Sequence, residues 1–102
     1  MIKFTLYVGL NDKDTKTQKI STLEAYKLIQ NVLKNFVDGG TIYEAEGFYK
    51  HDNGIITYEK SLRIEILFTD RRTINNICDI LKAVLNQETI AIQTEKIKSE
   101  LY

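Results

Sequence analysis

Three features of the sequence predict an α+β sandwich, with one four-stranded antiparallel sheet and two helices on a single face. The first is the alternation of Ile2, Phe4, Leu6, Val8 and Leu10 with Lys3, Thr5, Tyr7 and Gly9, the period of a half-buried strand. The second is a pair of segments with apolar residues at helical spacing, each led by a capping residue. The third is Asn53-Gly54 between two extended runs, a strong hairpin signal because a type I′ turn needs positive φ at both central positions.

Beyond the first strand, 11–19 is polar and reads as a loop. Ser21-Thr22-Leu23-Glu24 then forms a capping box, in which the Ser hydroxyl accepts the third helical N–H and Glu24 reaches back to the Ser21 N–H. The helix it opens carries Ala25, Leu28, Ile29, Val32, Leu33 and Phe36 as one stripe, and Asp38-Gly39-Gly40 supplies a left-handed stop. Two extended runs follow, 41–50 and 55–69. With Asn53-Gly54 as a two-residue loop, Tyr43 faces Ile64, Ala45 faces Leu62, Gly47 faces Lys60 and Tyr49 faces Tyr58. On the other face Glu44 meets Arg63 and Phe48 meets Glu59, and the charge pair supports this register by about 0.2–1 kcal/mol. A slip of one residue is expected to put Leu62 and Ile64 in water.

Asp70 can cap the second helix, whose stripe is Ile74, Ile77, Cys78, Leu81, Val84 and Leu85. A short strand over 89–93 turns Ile90 and Ile92 inward, and the tail 94–102 reads as a continued edge strand or a frayed helix. The order β-α-β-β-α-β on one antiparallel sheet is the ferredoxin-like split βαβ.

At 102 residues the chain is read as one domain, 1–102, with no room for separate cofactor and substrate domains. Its 14 basic and 14 acidic side chains cancel, leaving no global field to attract nucleic acid or an anionic membrane, and neither is expected as a partner. A lone Cys78 offers no disulfide and no Cys-x-x-Cys spacing, so no metal site is expected and a cytoplasmic setting fits. The N-terminus has neither a signal-peptide core nor the ~20 apolar residues of a membrane span. No G-x-G-x-x-G or P-loop occurs, Gly39-Gly40 sits at the wrong helix end to cradle phosphate, and no cofactor is expected.

Several short pieces spread along the chain carry a resemblance. They are Leu6-Tyr7-Val8-Gly9-Leu10, Phe36-Val37-Asp38-Gly39-Gly40-Thr41, Gly47-Phe48-Tyr49, Glu59-Lys60-Ser61 and Gln87-Glu88. In this order they resemble an uncharacterised family of small bacterial proteins, a domain of unknown function with a ferredoxin-like fold. The chain departs from that family where Phe48 or Tyr49 stands for Trp and Lys60 for Pro. The resemblance implies the fold and assigns no reaction.

Candidate chemistry centres on the hairpin. By the register above, His51 shares a face with Tyr49, Tyr58 and Lys60, a set that could hold an anionic or aromatic small molecule or perform acid–base chemistry with His51 near its ordinary pKa of ~6.5. The plainer reading makes His51 a solvated turn residue and the tyrosines amphipathic cover. Lys60 falls on an apolar face, where burial of a lone ammonium costs several kcal/mol, so it must lie beyond the helices, pair with a carboxylate or meet a ligand. Tyr7 and Gly9 share the outer face of the first strand, where a flat ligand could rest. Glu44, Glu46, Glu59 and Glu65 give the outer hairpin face an acidic cast; paired carboxylates there could hold a divalent cation, but the plainer reading is a solvated surface, and the same acidity disfavours sheet-surface RNA binding. Cys78 reads as a buried small hydrophobe.

Length adds an argument about assembly. The run from Ile55 to Leu67 extends ~43 Å, against roughly 33 Å for the diameter of a compact domain of this size. The hairpin should overhang or bend, with Gly47 as a natural place for a bulge or a close backbone approach. The arm around 48–59 carries Phe48, Tyr49, Ile55, Ile56 and Tyr58 with little core of its own, the mark of an interface. The expected protein is a cytoplasmic homodimer that binds a protein or small molecule through its sheet face and arm. Tyr7, Gly47, Phe48, Tyr49, His51, Tyr58 and Lys60 are the candidate positions. The alternatives are a small dimeric enzyme of monooxygenase or isomerase type, with a pocket between sheet and helices and His51 or Tyr58 as acid–base group, and a phage or mobile-element accessory protein. The last rests on small size and an Ile- and Lys-rich, Arg-poor composition.

Overall fold

The computed structural model describes residues 1–102. The elements are β1 (Ile2–Gly9), α1 (Thr22–Leu33), β2 (Thr41–Lys50), β3 (Ile56–Ile66), α2 (Arg71–Val84) and β4 (Ala91–Lys96). The strands form one sheet in the order β2-β3-β1-β4 with every pairing antiparallel, the expected ferredoxin-like architecture. Alternation on β1 turns Phe4, Leu6 and Val8 to the helix side, where they meet Leu62, Ile64 and Ile66 of β3 and the buried stripes of α1 and α2. Each fully buried Leu or Ile contributes roughly 1.5–3 kcal/mol to holding these layers together. Both helices begin at the predicted capping residues, although of the capping box only the Ser21 half forms. Ser21 Oγ accepts the Glu24 N–H at 3.1 Å, and Asp70 Oδ1 accepts the Thr73 N–H at 2.8 Å, a bond that draws the Asp70 pKa below its ordinary value.

The helix exits differ from expectation. α1 ends at Leu33 rather than Phe36, because the N–H groups of Asn35 and Phe36 turn onto the carbonyls of Val32 and Leu33 and tighten the last turn. Gly39 and Gly40 therefore do not stop the helix in a left-handed conformation; Gly54 is the glycine with positive φ. The left-handed exit belongs to α2, where Asn86 has φ 48 and the Gln87 N–H reaches the Lys82 carbonyl at 2.9 Å in a Schellman arrangement. Val84, at the end of the predicted α2 stripe, is exposed. β4 begins at Ala91 rather than Thr89 and runs to Lys96, so the first part of the tail continues the edge strand, with Ile92 opposite Leu6.

The hairpin register is offset by one residue from the prediction. Tyr43 faces Arg63, Gly47 faces Glu59, Phe48 faces Tyr58 and Lys50 faces Ile56. The cause is the loop. The Gly54 N–H donates to the His51 carbonyl at 2.9 Å and the His51 N–H to the Ile55 carbonyl at 2.8 Å, closing a three-residue loop in which Gly54 (φ 86) has positive φ and Asn53 does not. Leu62 and Ile64 nevertheless stay buried, because pairing with Val8 and Leu6 of β1 sets their face. The offset instead turns β2 over. Glu44 and Glu46 move to the helix side, leaving Glu59 and Glu65 on the open face, and Tyr43 takes the place expected of Glu44 beside Arg63. The ladder runs unbroken through Gly47, so no bulge forms there. β3 pairs with β1 only over 61–66, which leaves the distal hairpin projecting from a molecule of 48 × 25 × 23 Å. β3 stops at Ile66, and Phe68, at φ 57, is turned out to solvent.

Candidate functional site

The observed register divides the candidate positions between two faces. Tyr7, Gly47, Tyr49 and His51 lie toward the open face of the sheet, with Thr57, Glu59 and Ser61 of β3 beside them. Phe48, Tyr58 and Lys60 point to the opposite face, where no helix covers them and all three are exposed. The predicted grouping of His51 and Tyr49 with Tyr58 and Lys60 is therefore not assembled. Lys60 lies beyond the helix layer opposite Glu46, which removes the cost of burying its ammonium.

A cleft of about 680 Å³ opens on the sheet face. Tyr7, Gly9 and Ser61 form its floor, Gly47–Tyr49, Thr57 and Glu59 of the hairpin one wall, and segments 11–16 and 87–91 the other. Hydrogen bonds fix both sides. Asp12 Oδ1 accepts the N–H groups of Asp14 and Thr15, and Asn86 Nδ2 donates to Asp12 Oδ2 at 2.7 Å. The Asn86 bond is the largest cause holding the Asp12 carboxyl down at about 2, followed by the Thr15 N–H. Gln87 Nε2 donates to the Asn11 carbonyl at 2.7 Å, tying the exit of α2 to the loop after β1. On the hairpin side, His51 Nε2 and Thr57 Oγ1 lie 2.8 Å apart, and the rings of Tyr49 and His51 meet edge to face with centroids 4.8 Å apart.

Among the lining groups outside the candidate positions is Glu59, which the sequence placed only in the acidic outer face of the hairpin. Its carboxylate lies directly over Gly9, where an added Cβ would stand 2.6 Å from Oε1, and its Oε2 accepts the Asn11 N–H at 2.9 Å. The close approach expected at Gly47 is thus found at Gly9. The ion pairs of the chain are Lys3–Glu95 and Lys82–Asp79, so Glu59 has no cationic partner. The available signal was Gly9 itself, a bare position in a strand that needs no special φ.

Beside the cleft, the Arg63 guanidinium lies 4.7 Å from the Tyr7 ring centre and 5.3 Å from that of Tyr43. Arg63 Nη2 donates to the Tyr7 hydroxyl at 2.9 Å, and that hydroxyl donates to Gln93 Oε1 at 2.8 Å. The Tyr43 hydroxyl donates to Glu65 Oε1 at 2.7 Å, which pushes the Tyr43 phenol up from its ordinary pKa. Tyr7 is thereby engaged at its hydroxyl and on one ring face. The space between sheet and helices, where the enzyme alternative places its pocket, is filled by the core cluster, and smaller recesses of about 360 and 330 Å³ lie beside α2 and α1.

Comparison with known proteins agrees with this fold. The family model described as a protein of unknown function (DUF3574) matches residues 3–100, and the chain belongs to that family, in keeping with the resemblance carried by its short motifs. No curated protein matches the chain. Among solved structures, a phage SAM lyase in complex with S-methyl-5′-thioadenosine superposes with a TM-score of 0.69 at 16% identity, covering 93% of this chain and 80% of that one. The periplasmic divalent cation tolerance protein CutA from Archaeoglobus fulgidus gives a TM-score of 0.63 at 18% identity, covering 99% and 88%. CutA1 from Ehrlichia chaffeensis gives 0.59 at 17%, covering 97% and 84%. At these identities the likeness is one of fold. No helix is long and apolar enough to cross a membrane.

Proposed function

We propose that this member of the DUF3574 family is a small cytoplasmic ligand-binding module that works as a homodimer, each hairpin arm packing on its partner and the open-face cleft receiving a small molecule. The observation that carries the assembly is the arm itself. Phe48 and Tyr58 are paired across the hairpin and are 75% and 74% exposed, with Ile55 and Ile56 exposed beside them. An aromatic side chain offers about 150–250 Å² for burial. Two such arms supply on the order of the 1,000 Å² that a specific interface requires. A contiguous apolar surface of this kind on a neutral chain favours another protein surface over nucleic acid or membrane. The cleft has the volume of a ligand site but is open on one side, and a partner's arm laid across the sheet would close it.

A second reading, a small enzyme, draws on the unpaired Glu59 carboxylate, which lines the same cleft as His51, and on the phage lyase of the same fold, whose structure holds a nucleoside thioether. Under this reading Glu59 and His51 are the groups available for acid–base work. The module reading comes first because His51 Nε2 already bonds Thr57.

Light scattering on the purified protein at tens of micromolar tests the assembly. The expected mass is two chains, falling to one in the double variant Phe48→Asp/Tyr58→Asp with an unchanged circular dichroism spectrum. A wild-type mass of one chain overturns the reading, and a larger ring overturns its twofold form.

A further inference from the structure

We infer that the Glu59 carboxylate is the anchor for a small organic ammonium, a monoamine with an apolar or aromatic body, bound in the open-face cleft. The inference rests on the cleft being a ligand site, as proposed above.

Glu59 is only half exposed, takes a single backbone donor through Oε2, and has no basic side chain within ion-pair distance. Its Oε1 receives no hydrogen bond from the protein and lies above a residue without a side chain. Gly9 is extended β1 backbone that any residue could adopt, so what its bareness provides is room for this carboxylate. Of the other carboxylates along the cleft, Asp12 is already satisfied by Asp14, Thr15 and Asn86, and Glu88 is exposed on the rim, whereas Glu59 is half-buried over the floor. A half-buried anion with free acceptor capacity calls for a cationic donor, whose charge-assisted hydrogen bonds are the strong kind. One free carboxylate oxygen is too little for a divalent metal, which gathers six or more oxygen ligands as Ca²⁺ or keeps near-octahedral geometry as Mg²⁺. Tyr49 on the hairpin wall suits an apolar body, and Lys13 and Lys16 on the opposite rim repel a second positive charge.

The test uses three probes that share a phenol ring and differ in charge: tyramine, 4-ethylphenol and 4-hydroxyphenylacetate. Each is titrated into the full-length ¹⁵N-labelled protein and followed by amide shifts. Tyramine is expected to move the Gly9 and Asn11 amides and to bind about tenfold more tightly than 4-ethylphenol, the factor that corresponds to one charge-assisted hydrogen bond, with 4-hydroxyphenylacetate weakest. Glu59→Gln should reduce tyramine to the affinity of 4-ethylphenol. Gly9→Ala, which displaces the carboxylate without removing it, should weaken tyramine in the same direction, with thermal unfolding confirming that both variants fold. Equal binding of all three probes, or a Glu59→Gln variant that keeps the preference for tyramine, overturns the role of Glu59 while leaving the cleft a ligand site. Absence of any shift in the cleft with all three probes overturns both.

Discussion

Asn86 Nδ2 donates to Asp12 Oδ2 at 2.7 Å, joining the exit of α2 to the loop after β1 across 74 residues of chain. This bond and the backbone N–H groups of Thr15 and Asp14 favour the ionised carboxylate and bring its pKa from 3.8 to about 2. A depressed carboxyl contributes stability that is present above its unfolded value and is lost as pH falls through the folded value. Urea midpoints should therefore show wild type ahead of Asp12→Asn at about pH 5, with the gap closing between about pH 4 and pH 2. A gap that stays constant over that range would remove Asp12 from the acid response.

Asn86 has a second task, since it holds φ 48 at the left-handed exit of α2. Ala there combines backbone strain of roughly 1–2 kcal/mol with loss of the side-chain bonds to Asp12 and Asp14. Gly relieves the strain but not the lost bonds. The expected order of thermal stability is wild type, then Asn86→Gly, then Asn86→Ala. If Gly and Ala cost the same, the backbone contribution is absent.

What could be read from the sequence was what is local. The alternation on β1 needs only its own residues, and the Ser21 and Asp70 caps bond N–H groups three positions away. Asn53-Gly54 announced a hairpin but is compatible with both a two-residue and a three-residue loop, and the difference is one residue of register. That single step separated Tyr58 and Lys60 from His51 and seated Glu59 opposite Gly47. The role of Glu59 depends on β1 lying against β3, a pairing of segments about fifty positions apart, so no local pattern announced it.

The two possible loops make different demands at residues 53 and 54. In the three-residue form Gly54 alone has positive φ, while Asn53 contributes its Oδ1 to the Ile55 N–H at 3.0 Å on an exposed tip. Gly54→Ala should cost about 1–2 kcal/mol, whereas Asn53→Ala should cost no more than about 0.5–1 kcal/mol, one exposed hydrogen bond. Equal and large losses would indicate the type I′ form. Denaturation of the two variants side by side, with the hairpin amides followed by hydrogen exchange, makes the measurement.

Arg63 is held on the open face without a carboxylate. Its contacts are the faces of Tyr7 and Tyr43 and the Tyr7 hydroxyl, and its Nε is buried without a partner. A charge stabilised by ring faces responds to shape more than to salt, because a cation–π contact is short-ranged and partly desolvated. Lys keeps the charge but loses both the flat stack and the fixed fork, so Arg63→Lys should lose about 1 kcal/mol, with little further change between low and high salt. Tyr7→Phe keeps the ring and deletes the node that links Arg63 to Gln93. A cycle of Tyr7→Phe with Arg63→Met should return a coupling of about 0.5–1.5 kcal/mol. Additive losses would show that the hydroxyl and the guanidinium act independently, and that ring stacking alone positions Arg63 beside the cleft.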